Sequence, residues 1–239
     1  METTQIALAN VLTFVGGVVQ GSFGMGGSVV TVPLMGLVNF ALVPVPALFA
    51  ALGRTLMILR RDLQGLDRKG LRPILAGVLP GSLIGAIIIA NLSDKAVVVV
   101  ASVLVLIAIG ASVRGWRIND TSVTRFVIGT ASGTMSSVAA VAGPVIALFY
   151  LDAKNNVIRA TMSFFFIATN SLSLIFLAVV GKIHPQQLLI SLEILPGALA
   201  GFFVSSKSLR SIDKRSIRPA IYLVAAISAF IAIFETLVF

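Results

Sequence analysis

The sequence predicts an all-α integral membrane protein of two inverted-topology repeats, each a broken half-helix hairpin plus three full transmembrane helices. Three observations carry this prediction: the composition, an internal repeat, and basic residues that change sides between the halves. The chain has 239 residues, of which 57% are hydrophobic and 11% charged, and its mean hydropathy is +1.04. So little polar surface excludes a water-soluble domain of this length. Runs of about 20 apolar residues recur, enough to cross ~30 Å of hydrocarbon as helices. Stretches such as "AVVVVASVLVLIAIG" are apolar on every face, whereas barrel strands alternate. Cysteine is absent, so no disulfide or thiolate chemistry is expected. The N-terminus lacks a basic region and a cleavage site, so residue 6 onward is expected to be retained.

The repeat has an offset of 116 residues. At that shift "LPGSLIG" (residues 79–85) falls on "LPGALAG" (residues 195–201), and Gly17, Gly27 and Gly65 fall on Gly133, Gly143 and Gly181. Residues 1–115 form the first repeat and 116–239 the second, in one compact bundle, because neither half offers a water-soluble boundary.

The basic residues indicate how the halves are related. Arg60, Arg61, Arg68, Lys69 and Arg72 crowd one loop of the first half, and the equivalent loop of the second holds only Lys182. The next loop reverses this: Lys95 alone in the first half, against Lys207, Arg210, Lys214, Arg215 and Arg218 in the second. If each half holds a hairpin that returns to its starting side plus three full spans, fifteen basic residues face the cytoplasm and two face out. Four full spans per half would divide them almost evenly. Lysine and arginine collect on the cytoplasmic side, so inverted halves with both termini outside are expected, in a multi-pass cell membrane protein. The net charge of +9 is thereby assigned to orientation, and nucleic acid is not an expected partner.

Each half opens on a segment too short to span. Residues 6–20 would give about 22 Å of helix and residues 28–38 about 16 Å. Between them lies "GSFGMGG", whose glycines each cost about 1 kcal/mol in a helix interior. This reads as two half-helices meeting at membrane depth, a geometry tolerated where backbone lines a cavity. The matching break is "SSVAAVAGP" (residues 136–144), with Pro144 suited to a first helical turn. The competing explanation is that the glycines let helices approach closely. In the broken-helix reading, two half-helix N-termini near Gly27 and Gly143 converge and make an anion site from backbone N–H groups.

At these residues the chain resembles the sulfite exporter TauE/SafE family of membrane proteins, whose halves each carry a Gly-rich "GxGGG…vP" stretch. "GMGGSVVTVP" (residues 24–33) matches the first copy, with Ser28 in place of the last glycine. "AAVAGPVIALF" retains Gly143 and Pro144 but has Ala140 and Ala142 where the family has glycines. The resemblance covers nearly the whole chain. It implies secondary transport, often outward, of sulfite, sulfoacetate or other small organosulfur anions. The candidate substrate-binding residues are Ser22, Gly24, Gly26, Gly27, Ser28, Arg54, Ser136, Ser137, Gly143 and Asn170.

Several of these have a second explanation. Arg54 and Glu193 are the ionisable residues clearly within spans, where charge is expensive. Arg54, whose repeat mate is Asn170, faces the anion or snorkels toward the cytoplasm. Glu193 carries a coupling proton or forms a salt bridge. Pro80 and Pro196 are hinges or simple kinks. Serines beside the breaks donate to an anion or satisfy freed backbone. His184 falls in an outer loop and is expected to be solvated.

Rival functions fit less well. No Walker lysine motif is present, and "GTASG" (residues 129–133) lacks the spacing of a serine nucleophile. An enzyme is therefore not expected, nor any cofactor or metal. A channel, a transporter of another small solute, or a non-transporting structural subunit are the alternatives. The expected partners are a small anion and the lipid bilayer, and a homodimer is compatible with the reading. Single cysteines introduced at Gln64 and Ser211 should both react with an impermeant thiol reagent only from the cytoplasm. Opposite accessibility would reject inverted halves.

Overall fold

In the computed structural model the described residues are 1–114, 119–150 and 155–208, together with 223, 226–227 and 229–234 near the C-terminus. Ser211 and the basic residues Arg117, Lys154, Arg210, Lys214, Arg215 and Arg218 lie outside them. The described secondary structure is all helical: α1 (Thr3–Phe23), α2 (Gly27–Val38), α3 (Val45–Asp62), α4 (Arg68–Ala90), α5 (Asp94–Arg114), α6 (Ser122–Ala139), α7 (Gly143–Ile146), α8 (Asn155–Val179) and α9 (Pro185–Ser208). Short 3-10 turns cover Phe40–Leu42, Leu63–Gly65 and Ala147–Tyr150. Among the described residues five segments are long and apolar enough to cross a membrane, coinciding with α1, α3, α4, α8 and α9. The protein is a multi-pass membrane protein.

α1 corrects the sequence expectation. It is not a 15-residue half-helix but a helix of 21 residues, about 31 Å long and sufficient to span. Gly21, expected to open the break, is an interior helical residue buried against its neighbours, as are Gly16 and Gly17. Close helix contact there offsets their low propensity. Only α2, with 12 residues, has half-span length. The second half follows the same plan, with 18 residues in α6 and four in α7.

Two helix pairs frame the bundle, α1 with α9 and α4 with α6. Both are built on glycine. A Cβ at Gly77, Gly81 or Gly85 of α4 would strike the carbonyl oxygen of Phe126, Thr130 or Thr134 of α6. In the other pair, Gly197 and Gly201 of α9 lie against the carbonyls of Asn10 and Phe14 of α1. The register rises in the same direction on both partners, so each pair runs parallel. Hydroxyls reinforce the contacts: Thr134 Oγ1 donates to Gly81 O at 3.0 Å, and Thr13 Oγ1 to Ile194 O at 3.0 Å. Asn10 reaches further, donating to Glu193 O and accepting from Gly197 N at 2.8 and 3.0 Å.

α3 and α8 cross between the pairs and against each other. α3 leans on α9, and α8 on α4. The ends of α3 and α4 that carry Arg60, Arg61, Arg68, Lys69 and Arg72 mark the basic end of the bundle. Asp120 lies just before α6, and its hydrogen bonds from Arg125 hold its carboxyl below the usual carboxylate range.

Gly17 is one of the contact glycines: its Cβ would meet Ala198 O. Gly201→Ala and Gly17→Ala should each lower stability by about 1–3 kcal/mol, the cost of overpacking a tight contact. Gly110, with nothing within 4 Å of a Cβ, should accept alanine at no cost. Thermal unfolding of the three variants in detergent would read the contrast.

Candidate functional site

Both halves break in the same way at equivalent positions. α1 is capped by Gly24, left-handed at φ 79°, with its N–H bonded to Gln20 O at 2.7 Å. α6 is capped by Ala140, also left-handed at φ 51°, with its N–H bonded to Ser136 O at 2.8 Å. Positions 24 and 140 differ by the repeat offset, as do 20 and 136. Glycine adopts this conformation freely; alanine does so at a cost of about 1–2 kcal/mol. Gly26, left-handed at φ 89°, then opens α2, and Gly143 opens α7.

A single cavity joins the two breaks. Gln20, Gly26 and Ser28 line it from the first half, and Ala140 through Gly143 from the second. Phe166 and Asn170 of α8 close one wall. The space open to the centre of a water-sized sphere is about 10 Å³, room for roughly one water molecule. That is too little room for a sulfur oxyanion in this conformation.

Behind the lining lies a buried guanidinium. Arg54 is 1% exposed. Its Nε donates to Gln20 Oε1 at 2.8 Å and its Nη2 to Ser28 Oγ at 2.9 Å. Among the described residues no carboxylate forms an ion pair with it. The repeat mates are joined in the same way: Ser136 Oγ donates to Asn170 Oδ1 at 3.3 Å. Ser137 Oγ, alongside, bonds Ser82 O at 3.0 Å and Ser173 Oγ at 2.9 Å. A cation in a low-dielectric interior, satisfied only by neutral oxygens, retains its charge toward an anion in the cavity.

The structure thus gathers Gly26, Ser28, Gly143 and Asn170 on the cavity wall, with Arg54, Ser136 and Ser137 in hydrogen-bonded layers around it. Gly24 shapes the turn and abuts Arg159. Gly27 is a packing residue as well, since its Cβ would meet Gly16 O at 2.5 Å and Gln20 Oε1 at 2.8 Å. Gly143 faces Phe166, whose Cζ would lie 2.9 Å from a Cβ. Ser22 is not brought to the cavity; it bonds Val18 O one turn back in its own helix. Neither is Glu193, whose side chain is exposed on α9. Gln20 was missed by sequence reasoning. It is an amide in an apolar run and the repeat mate of Ser136, and that pairing was its available signal.

The family model for the sulfite exporter TauE/SafE matches residues 9–231. The chain belongs to the TauE/SafE family. No curated protein and no solved structure matches. Membership places the chain among membrane transporters of sulfur-containing anions rather than among enzymes. In this TauE/SafE protein both Gly-rich stretches fall within the match, on either side of one cavity.

Gln20 is the acceptor that holds Arg54 in place. Gln20→Leu should lower stability by about 1.5–3 kcal/mol, the worth of a hydrogen bond to a charged group, read by unfolding in detergent. Stability equal to the parent would show that Arg54 finds another acceptor.

Proposed function

We propose that the chain is a secondary transporter that exports small sulfur-containing anions such as sulfite, sulfoacetate or another organosulfonate. It works by alternating access around the cavity between the two breaks. The observation that carries this reading is Arg54: a buried guanidinium without a carboxylate partner among the described residues, held by two side chains that line the cavity. The anion sits near mid-membrane, bound by N–H groups at the starts of α2 and α7, with Ser28 and Asn170 as polar side chains and Arg54 as the source of charge. Ser136 positions Asn170, and Ser137 braces Ser136 through Ser173.

The inverted relation of the halves is supported by the parallel pairs. α1 and α4 run in opposite directions, and α6 runs with α4, so the first helix of one half opposes the first helix of the other. Residues 60–72 then face the cytoplasm and the termini face out. Gly24–Gly26 and the 140–142 turn are the flexing points that expose the cavity to one side and then the other, since its present size admits no anion. An inside-negative potential drives each negative charge outward with about 2.3 kcal/mol per 100 mV, so export needs no nucleotide.

Sulfite or sulfoacetate flux into and out of proteoliposomes is the test. Arg54→Ala should abolish flux in correctly inserted protein, and Arg54→Lys should restore part of it, because a point charge lacks the planar fork. Parent-level flux in Arg54→Ala would overturn the reading.

A further inference from the structure

We infer a second anion site, on the cytoplasmic threshold of the cavity, formed by Arg61, Asp62 and Arg159. The inference rests on the transporter reading above. Two guanidiniums share one carboxylate there. Arg61 donates from Nε and Nη2 to Asp62 Oδ2 at 3.0 and 2.9 Å. From α8, Arg159 donates from Nε to Oδ2 at 2.8 Å and from Nη2 to Oδ1 at 3.3 Å. The cluster therefore has one positive charge in excess, and its arginines are only 14% and 16% exposed. One donor is left over: Arg61 Nη1 is buried with no hydrogen-bond partner among the described residues. A buried, unpaired guanidinium N–H is costly unless something binds it.

Its location gives the cluster a purpose. Arg61 Nη2 also donates to Gly21 O at 3.0 Å, and its guanidinium lies over the Phe202 ring. The backbone of Arg159 touches Gly24, whose Cβ would lie 2.9 Å from Arg159 Cα. The cluster thus ties α3, α8, α9 and the end of α1 together beside the Gly24–Gly26 turn, and Gly26 lines the cavity. The repeat mates of Asp62 and Arg159 are Ala178 and Val43, so the other end of the path has no copy of this cluster. Asp62 occupies the position of a carboxylate or sulfonate on two arginine forks. An incoming oxyanion that takes Arg61 Nη1 and displaces Asp62 would break the ion pair that ties α8 to α3 as it enters. The ligand class is a small oxyanion with at least two coplanar acceptor oxygens.

Sulfoacetate binding to the full-length protein in lipid nanodiscs tests this, in the parent and in an Arg54→Ala background that disables the central site. Asp62→Asn removes the competing carboxylate and should tighten binding about fivefold in both backgrounds; Arg159→Gln removes one fork and should weaken it by about as much. Unchanged affinity in either variant overturns the threshold site. Should Asp62→Asn fail to insert, Arg159→Gln decides alone. The central reading fails by a different result, parent-level affinity in Arg54→Ala with the threshold variants still shifting it.

Discussion

Contact between helix backbones through glycine is the constraint on which the rest of this protein depends. In hydrocarbon, apolar side chains gain little by leaving lipid for one another, so association relies on close approach and on polar bonds between helices. Here Gly77, Gly81 and Gly85 admit the α6 backbone, and Gly197 and Gly201 admit that of α1. Each contact joins the first helix of one half to the fourth helix of the other. The halves are thereby interlocked, and neither has a complete set of partners by itself.

α3 and α8, the helices that carry Arg54 and Asn170, pack between those pairs. Because each is supported by one helix pair and by the other crossing helix, its polar residue is held at a fixed height. α1 then supplies Gln20 to Arg54, and α6 supplies Ser136 to Asn170. The same two positions of the repeat are hydrogen-bonded twice, once around a cation and once around an amide. A cavity with one cation behind its lining follows from this difference between the two pairs.

Much of this was legible in the chain. Hydropathy gave the helices, the 116-residue offset gave the equivalence of Gly24 with position 140, and the isolation of Arg54 in an apolar run marked the cation. The length of α1 was not legible. Glycine propensity argues for a break from residue 21, and only the neighbours of Gly16, Gly17 and Gly21 keep the helix going to Phe23. Local sequence also cannot separate a glycine that opens a cavity from one that seats a helix; Gly26 lines the cavity while Gly27, next to it, packs on Gly16. Gln20 was hidden because an amide in an apolar segment has no fixed role until its partner is known.

Ala140 has a consequence for how the two turns share work. Gly24 rests at φ 79° with no steric conflict at its own Cα, whereas Ala140 at φ 51° keeps its methyl against the following carbonyl. About 1–2 kcal/mol is stored there, and it is released if that turn rotates toward negative φ. The first break is a loose joint and the second a loaded one. The two turns thus differ in backbone strain by about 1–2 kcal/mol, and in the conformation described only the second carries it.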